Sequence, residues 1–267
     1  MFGISVVIPM YNSHDTIVSC VQSVVDQTYK DLINIIVVND GSKDNSLAVL
    51  EAAFKELPAN RVLTIFNKEN GGVSSARNMG IKAAQTEWVA LLDSDDFWYP
   101  EKLERQFLEI SKLPHIEFLG ANVDDERYPF FGKNKLSLFK LNANELILKW
   151  YPPTSTIIAK KDIFIRAGLF DVKKRRGEDC DLWLRCLLFT PIYILNSGLV
   201  SMGFGKQRFG EKGLSSDLKK MFVGEIYIVK SALERNQISR AFFIFSCCWL
   251  FSKYLRRVFI TGVRKLL

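Results

Sequence analysis

Cysteine is scarce in this chain and badly placed for crosslinking. The five present, an odd number, include Cys180 and Cys186 on one predicted helix and the adjacent pair Cys247 and Cys248, which yields neither a disulfide ladder nor a zinc-ligand spacing. They read as reduced packing thiols. No stretch carries the G-x-G-x-x-G spacing of a dinucleotide site or the Gly-Lys-Ser/Thr of a P-loop, which turns the reading away from nicotinamide and ATP chemistry. No secretory signal is recognisable, because Ile4 to Pro9 is short and runs directly into strand-like sequence, so a cytosolic protein is expected. Internal repeats and low-complexity linkers are missing as well. The apolar run Ala241 to Phe251 falls well short of the roughly twenty residues a membrane-spanning helix needs.

Acid is missing from the last thirty residues, which hold Arg240, Lys253, Arg256, Arg257, Arg264 and Lys265. The net charge is +7, so the rest of the chain is near neutral. A neutral body argues against nucleic acid, whereas a basic, apolar tail predicts contact with an anionic membrane surface. In Lys253 to Leu267, Lys253, Arg257 and Arg264 share one helical face and Leu255, Val258, Phe259 and Leu266 the other, as in an interfacial helix. A helix packed on the domain or on a second subunit has the same pattern.

What is present suits a large core. With 267 residues, 48% hydrophobic and 12% aromatic, the chain can bury one large core or a core with a small appendage. Strand-like runs at Ile4 to Pro9, Ile33 to Val38, Arg61 to Phe66 and Trp88 to Leu92 alternate with helical patterns over Asp15 to Gln27, Asp44 to Glu56 and Val73 to Gln85. That order predicts an α/β fold with a mostly parallel twisted sheet flanked by helices. A helix is expected over Pro100 to Lys112, and Asp124 to Lys140 has no clear period. A strand-like Thr154 to Ala159, helices over Asp162 to Ala167 and Asp179 to Leu188, and a strand over Pro191 to Leu195 follow. Two tail helices, about Asp217 to Glu234 and Ile238 to Leu267, complete the pattern.

The most informative stretch is Trp88 to Asp96, a buried strand that ends in Asp93-Ser94-Asp95-Asp96. Open α/β sheets bind ligands beyond the carboxyl ends of their strands, and three crowded carboxylates repel one another unless a cation or hydrogen-bond donors compensate them. Such hard oxygen ligands suit Mg²⁺ or Mn²⁺; a solvated turn capping the next helix is the other reading. The first strand runs into Pro9-Met10-Tyr11-Asn12 and the second into Asn39-Asp40-Gly41-Ser42, so both clusters join the acids at one sheet edge. There Tyr11 can lay its ring on a base and Asp40 can accept from a ring N–H, which favours uracil, although each cluster alone is also an ordinary turn. Asn70 to Gly80 opens a helix with a glycine pair whose N–H groups can face phosphate, and Arg77 can clamp oxygens or balance the acids.

Taken in order, Val7 to Asn12, Val37 to Ser42, Ala76-Arg77-Asn78 within Gly72 to Gly80, Leu91 to Asp96, Gly168 to Asp171 and Gly177 to Arg185 resemble the family 2 glycosyltransferases over roughly residues 4–215. The resemblance implies a GT-A nucleotide-sugar domain over residues 1–215; the charge and helical pattern of 216–267 predict a helical, basic amphipathic extension that meets membrane or packs on protein. It implies that Pro9, Tyr11 and Asp40 hold the base, with Asn12 and Ser94 in the same donor site and Arg77 supporting it. Asp93 would contact the ribose region, and Asp95 would coordinate Mn²⁺ or Mg²⁺ bridging the diphosphate, which neutralises charge on the leaving group. Asp96 can instead simply cap the following turn. Asp179 would be the base that deprotonates the acceptor hydroxyl for inverting transfer, its proton affinity raised by Glu178; Glu178 and Trp183 would line or support the acceptor side. Without the resemblance, Glu178-Asp179 reads as a helix cap. Asp181, two residues on, points elsewhere. Some relatives add a histidine metal ligand before a Leu-Ser pair, but Gly203 to Ser215 has none, and the only histidines are His14 and His115. Lys206 and Arg208 in that glycine-rich segment can meet the diphosphate as a flap.

The expected protein is a metal-dependent inverting glycosyltransferase, cytoplasmic and peripheral on the inner face of the cell membrane. A UDP-sugar is the leading donor, a lipid-linked oligosaccharide or polysaccharide the acceptor, and cell-surface glycan synthesis the setting; a homo-oligomer is compatible. A catalytically silent nucleotide-sugar-binding module acting with a membrane partner is the alternative. A nucleotidyltransferase on a similar sheet is disfavoured by Gly177 to Arg185.

Overall fold

The computed structural model describes residues 3–124, 133–174, 176–203 and 217–266. Strand β1 (Ile4–Met10) is buried at every position and β2 (Ile33–Asn39) at all but one, as strands covered on both faces must be. β1 pairs in parallel with β2 on one side and with β4 (Trp88–Leu91) on the other, and β2 pairs in parallel with β3 (Arg61–Asn67). Helices α1 (Ile17–Val25), α2 (Ser46–Ala53) and α3 (Val73–Ala83) connect them. Ile17, Cys20, Val21 and Val24 give α1 a buried stripe at helical spacing. The chain moves outward from β1 to β3 and then returns to β4 on the far side of β1, which opens a topological switch point between β1 and β4.

Beyond β4 the sheet continues in mixed sense. β8 (Ile158–Lys160) is antiparallel to β4 and to β6 (Phe118–Val123), while β9 (Ile192–Ser201) is parallel to β6. β5 (Phe97–Trp98) and β7 (Leu138–Leu141) run antiparallel to β9. The order is β3-β2-β1-β4-β8-β6-β9-β5, with β7 also on β9. β5, β6, β7 and helix α5 (Ala143–Lys149) have no counterpart in the sequence reading. β5 and β7 are too short to display a period, and β6, Phe-Leu-Gly-Ala-Asn-Val, is broken in composition by Gly120 and Asn122. Thr154 to Ala159, expected as a strand, divides into a 3₁₀ turn at Thr154–Thr156 and β8. β9 outruns its expected end at Leu195 by crossing Asn196 and Gly198, where its register against β6 shifts.

Neighbouring residues of β1 feed different cores. Ile4, Val6, Ile8 and Met10 pack with α1 and with α4 (Lys102–Lys112). Val7 joins α3 in the opposite cluster, which also holds α5, α6 (Lys161–Arg166), α7 (Glu178–Cys186) and α8 (Leu218–Glu234). The result is three layers, helices on both faces of one sheet. α8 is packed against α9 (Arg240–Leu266), and Ile228, Val229, Ala232, Ile238 and Leu250 enter the core shared with α7.

Phe222 stacks on Tyr254 at 5.1 Å between ring centroids, and Arg257 pairs with Glu225 at 2.8 Å. The face of α9 that carries Lys253 and Arg257 is thereby turned onto α8, because Glu225 offers a buried carboxylate there. Ile244, Phe245, Leu255 and Phe259 face outward instead. Among the described residues no helix is long and apolar enough to cross a membrane.

Gly80 marks the closest approach of α3 to the sheet: a Cβ there would lie 2.3 Å from Cγ1 of Val7. Val7 is stiff and fully buried, so it cannot swing away. Gly80→Ala is expected to cost about 1–3 kcal/mol of overpacking, read as a lower urea midpoint with unchanged slope. An unaltered midpoint would contradict this packing.

Candidate active site

Strand ends from β1, β2 and β4 converge at the switch point. The hydroxyls of Ser13 and Ser94 lie 2.8 Å apart across it, joining the segment after β1 to the acidic loop after β4. Asn12, in a left-handed conformation at φ 49°, donates its N–H to Ser42 at 3.1 Å and accepts the N–H of Lys43 at 2.8 Å. Asn12 and Ser94 therefore build the wall of the crevice. Tyr11 is 47% exposed at its mouth, whereas Pro9 is buried within β1 opposite Val38.

Asp40 is buried, and its carboxylate closes the turn that precedes α3. Oδ1 accepts the N–H of Gly71 at 2.9 Å and Oδ2 that of Gly72 at 2.8 Å, with Lys68 paired to Oδ1. The two glycine N–H groups thus meet a carboxylate of the protein, where the sequence reading turned them toward phosphate. The reason is charge: a buried acid at the end of β2 needs donors, and the glycine pair brings its backbone close enough to supply them.

Arg77 is the hub. It is buried, and it binds Asp93 at 2.6 Å through Nη2 and Glu178 at 3.2 Å through Nη1, while its guanidinium carbon sits 5.1 Å from the centre of the Phe170 ring. Burial opposes its charge, but Asp93 and then Glu178 outweigh burial and hold it firmly protonated. Its Nε has no hydrogen-bond partner among the described residues. Asn78 clasps the backbone of Phe170 from both sides, donating to its carbonyl at 2.8 Å and accepting its N–H at 2.9 Å. Of the two roles left open for Arg77, the geometry realises the balancing of acids.

In the loop after β4, Asp95 is half-buried and Asp96 is buried. Burial, followed by the charge of Asp93, pushes Asp96 up to about 7; the Ser155 hydroxyl works against the shift and the charge of Asp95 adds to it. Crowding of this kind is what a divalent cation relieves. Among the described residues no three His, Cys, Asp or Glu side chains form a complete metal cage. The residues fit an ion of the Mg²⁺ or Mn²⁺ type, which takes one or two carboxylates and completes its shell with phosphate oxygens and water.

α7 begins at Gly177, whose φ of 65° and close packing on Ile228 and Trp150 require glycine. Asp179, one residue into the helix, is raised to about 6, first by burial and then by Glu178, with Arg77 acting in the opposite sense. The expected effect of Glu178 is therefore present but secondary. Asp181 points away, buried between Lys174 at 2.6 Å and Arg185 at 3.0 Å, where it anchors the helix. Trp183 is buried against Phe118, Phe164 and Phe170 and donates to the Pro152 carbonyl at 3.0 Å, which makes it a supporting residue. Lys206 and Arg208 lie outside the described residues. Lys68, Asn78 and Ser155 escaped the sequence reading; each acts on a neighbour that only the fold brings near, and only Asn78 lay inside a recognised motif.

The model of the family described as Glycosyl transferase family 2 matches residues 5–169. The chain is 34% identical over 221 residues to the uncharacterized glycosyltransferase RC0461 of Rickettsia conorii, covering 80% of this chain and 36% of that protein. It thus spans about a third of the length of that relative. It is similar to S. aureus TarS 1-349 in complex with UDP-GlcNAc, with a TM-score of 0.67 and 22% identity over 86% of this chain and 66% of that one. It is also similar to the mannosyltransferase PcManGT from Pyrobaculum calidifontis in complex with GDP-Man and Mn²⁺, with a TM-score of 0.69 and 14% identity over 92% of this chain and 69% of that one. These likenesses establish the GT-A fold.

Removing the hub leaves two acids without their cation. Arg77→Met is expected to lower stability by about 3 kcal/mol, because breaking a buried pair strands its partners. Urea unfolding at pH 7 reads the loss. A change below about 0.5 kcal/mol would show that the bridge carries no weight.

Proposed function

The chain belongs to glycosyl transferase family 2, and from that premise we propose that it transfers a sugar, with inversion, from a nucleoside diphosphate to an acceptor hydroxyl. The donor is a UDP-sugar, and the acceptor is a lipid-linked oligosaccharide or polysaccharide in cell-surface glycan synthesis. The observation that carries this reading is the Arg77 bridge. One buried side chain holds Asp93, at the donor edge of the sheet, and Glu178, beside the base at the start of α7. Leaving group and nucleophile can then address one carbon from opposite sides, which an in-line displacement requires.

In this reading Tyr11 offers its exposed ring to the base, and Pro9 and Asp40 shape the wall behind it. Asp93, aimed by Arg77, meets the ribose, and Asp95 would hold Mg²⁺ or Mn²⁺. A bound divalent cation supplies counter-charge to the departing diphosphate. Asp179 takes the proton of the acceptor hydroxyl as its oxygen attacks the anomeric carbon and the bond from that carbon to the diphosphate breaks. The Mn²⁺ in the PcManGT complex and the UDP-GlcNAc in the TarS complex support the metal and donor class by analogy.

Residues 1–215 carry this reaction, and 216–267 form an extension that rests on anionic lipid at the inner face of the cell membrane. Support comes from the outward apolar stripe of α9 and from a tail that, besides the Lys253 and Arg257 turned onto α8, carries four further cations and no acid. A homo-oligomer through the same stripe would bring those like charges together.

Two measurements test the reading. With Mn²⁺ and a UDP-sugar, kcat/KM should rise with pH through about 6, since Asp179 must lose its proton to act as a base. Asp179→Asn should abolish that limb and slow transfer by about a thousandfold. The same variant should be at least as stable as the parent at pH 8, because the ionised, half-buried carboxylate opposes folding above its raised pKa. Full turnover in the variant removes Asp179 as the base, whereas UDP-sugar binding without transfer to any glycan acceptor favours the silent module.

For the tail, Phe245→Ser with Phe259→Ser should abolish co-flotation with phosphatidylglycerol vesicles at a nearly unchanged melting temperature, because both residues are exposed. Truncation is a poor probe, since Ile238 and Leu250 belong to the core. Undiminished flotation would remove the membrane role from this face.

A further inference from the structure

We propose that Ser155 is a positioning residue for the metal-binding loop, its hydroxyl strapping both ends of Asp93 to Asp96 so that Asp95 is held ready for the cation. The inference rests on the reading of Asp95 as the metal ligand. Ser155 is 1% exposed and lies in the 3₁₀ turn that precedes β8, the antiparallel neighbour of β4. Its Oγ accepts the N–H of Asp93 at 3.1 Å and donates to Oδ2 of Asp96 at 2.5 Å. The loop closes on itself as well, the Asp96 N–H reaching the Asp93 carbonyl at 3.0 Å. Gly203 donates its N–H to the other carboxylate oxygen of Asp96 at 2.8 Å. Both oxygens of Asp96 are thus engaged inward, which marks it as a strut of the loop; Asp95, between the strapped positions, is half-buried.

The hydroxyl is itself rigidly placed. The Ser155 carbonyl accepts the indole N–H of Trp98 at 2.7 Å, and the Thr156 carbonyl accepts the amide of Gln106 at 3.0 Å. Lys102, fully buried, joins these two supports: its Nζ binds Gln106 at 2.8 Å and lies 3.9 Å from the centre of the Trp98 ring. A side chain that acted only through packing would not need two hydrogen bonds of opposite sense from one atom. Ser155 both accepts and donates at Oγ, and alanine leaves the Asp93 N–H and an Asp96 oxygen without that partner.

The test is calorimetric titration of the full chain with UDP, once with Mn²⁺ and once with EDTA. In the parent protein Mn²⁺ is expected to strengthen UDP binding. Ser155→Ala is expected to reduce that metal-dependent gain about tenfold, the scale of one charge-assisted hydrogen bond, while metal-free affinity stays within about twofold. Ser155→Thr, which restores the hydroxyl, should recover the gain. Asp96→Asn should reproduce the Ser155→Ala loss, and the double variant should be no worse than the weaker single one, as expected for one shared strap. A metal-dependent gain left intact in Ser155→Ala and Asp96→Asn, even with a lower melting temperature, overturns the proposal and makes Ser155 a folding residue only. If Ser155→Ala does not fold, Asp96→Asn decides between the same two outcomes. A parent protein with no metal-dependent gain overturns the metal reading of Asp95 and this inference with it, which distinguishes the two failures.

Discussion

The ion pairs of one arginine hold the two sides of this site together. Arg77 leaves α3 and meets an acid from the end of β4 and an acid from the start of α7, segments separated in chain order by four of the nine strands. A buried guanidinium is tolerated only with its charge compensated, so both carboxylates must be present and aimed for the fold to close around it. Phe170 covers the guanidinium and Asn78 fixes the Phe170 backbone, which turns a pairwise attraction into a defined geometry. The site inherits that geometry, because Asp93 and Asp179 are placed by the same constraint that stabilises the core.

Around this hub, surroundings divide the acids by task. Asp40 is spent on backbone donors and folds the glycine turn; Asp181 is spent on cations and anchors α7. Asp96 and Asp179 are raised in pKa by burial and by acidic neighbours. Carboxylates of equal intrinsic acidity are set apart by desolvation and partners: Asp40 closes a turn, Asp181 anchors a helix, and Asp96 and Asp179 are left as the two held at raised pKa. α8 packs its Ile228 on Gly177, the glycine that opens α7, so the tail and the helix that carries Glu178 and Asp179 share one core.

The first four strands and three helices were legible because buried parallel strands are continuous apolar runs, and amphipathic helices repeat at their own period. The later strands were not. β5 has two residues, β7 has four, and β9 is stretched through an irregular pairing, so their identity depends on tertiary partners. Among site residues, Asp40, Arg77, Asp93 and Asp179 stood out by motif, yet what each touches did not. Nothing local says that Asp40 would take the glycine N–H groups or that Lys253 and Arg257 would turn toward Glu225. Ser155 is silent in sequence because its meaning lies in residues some sixty positions earlier in the chain.

A crystal structure of the protein with UDP and Mn²⁺ tests the central claim most directly. The account predicts one continuous cleft in which Asp95 touches the ion, Arg77 still joins Asp93 to Glu178, and Asp179 faces the diphosphate from across the sugar position. Asp95 and Asp179 opening into separate cavities, with Arg77 released from either acid, would contradict it.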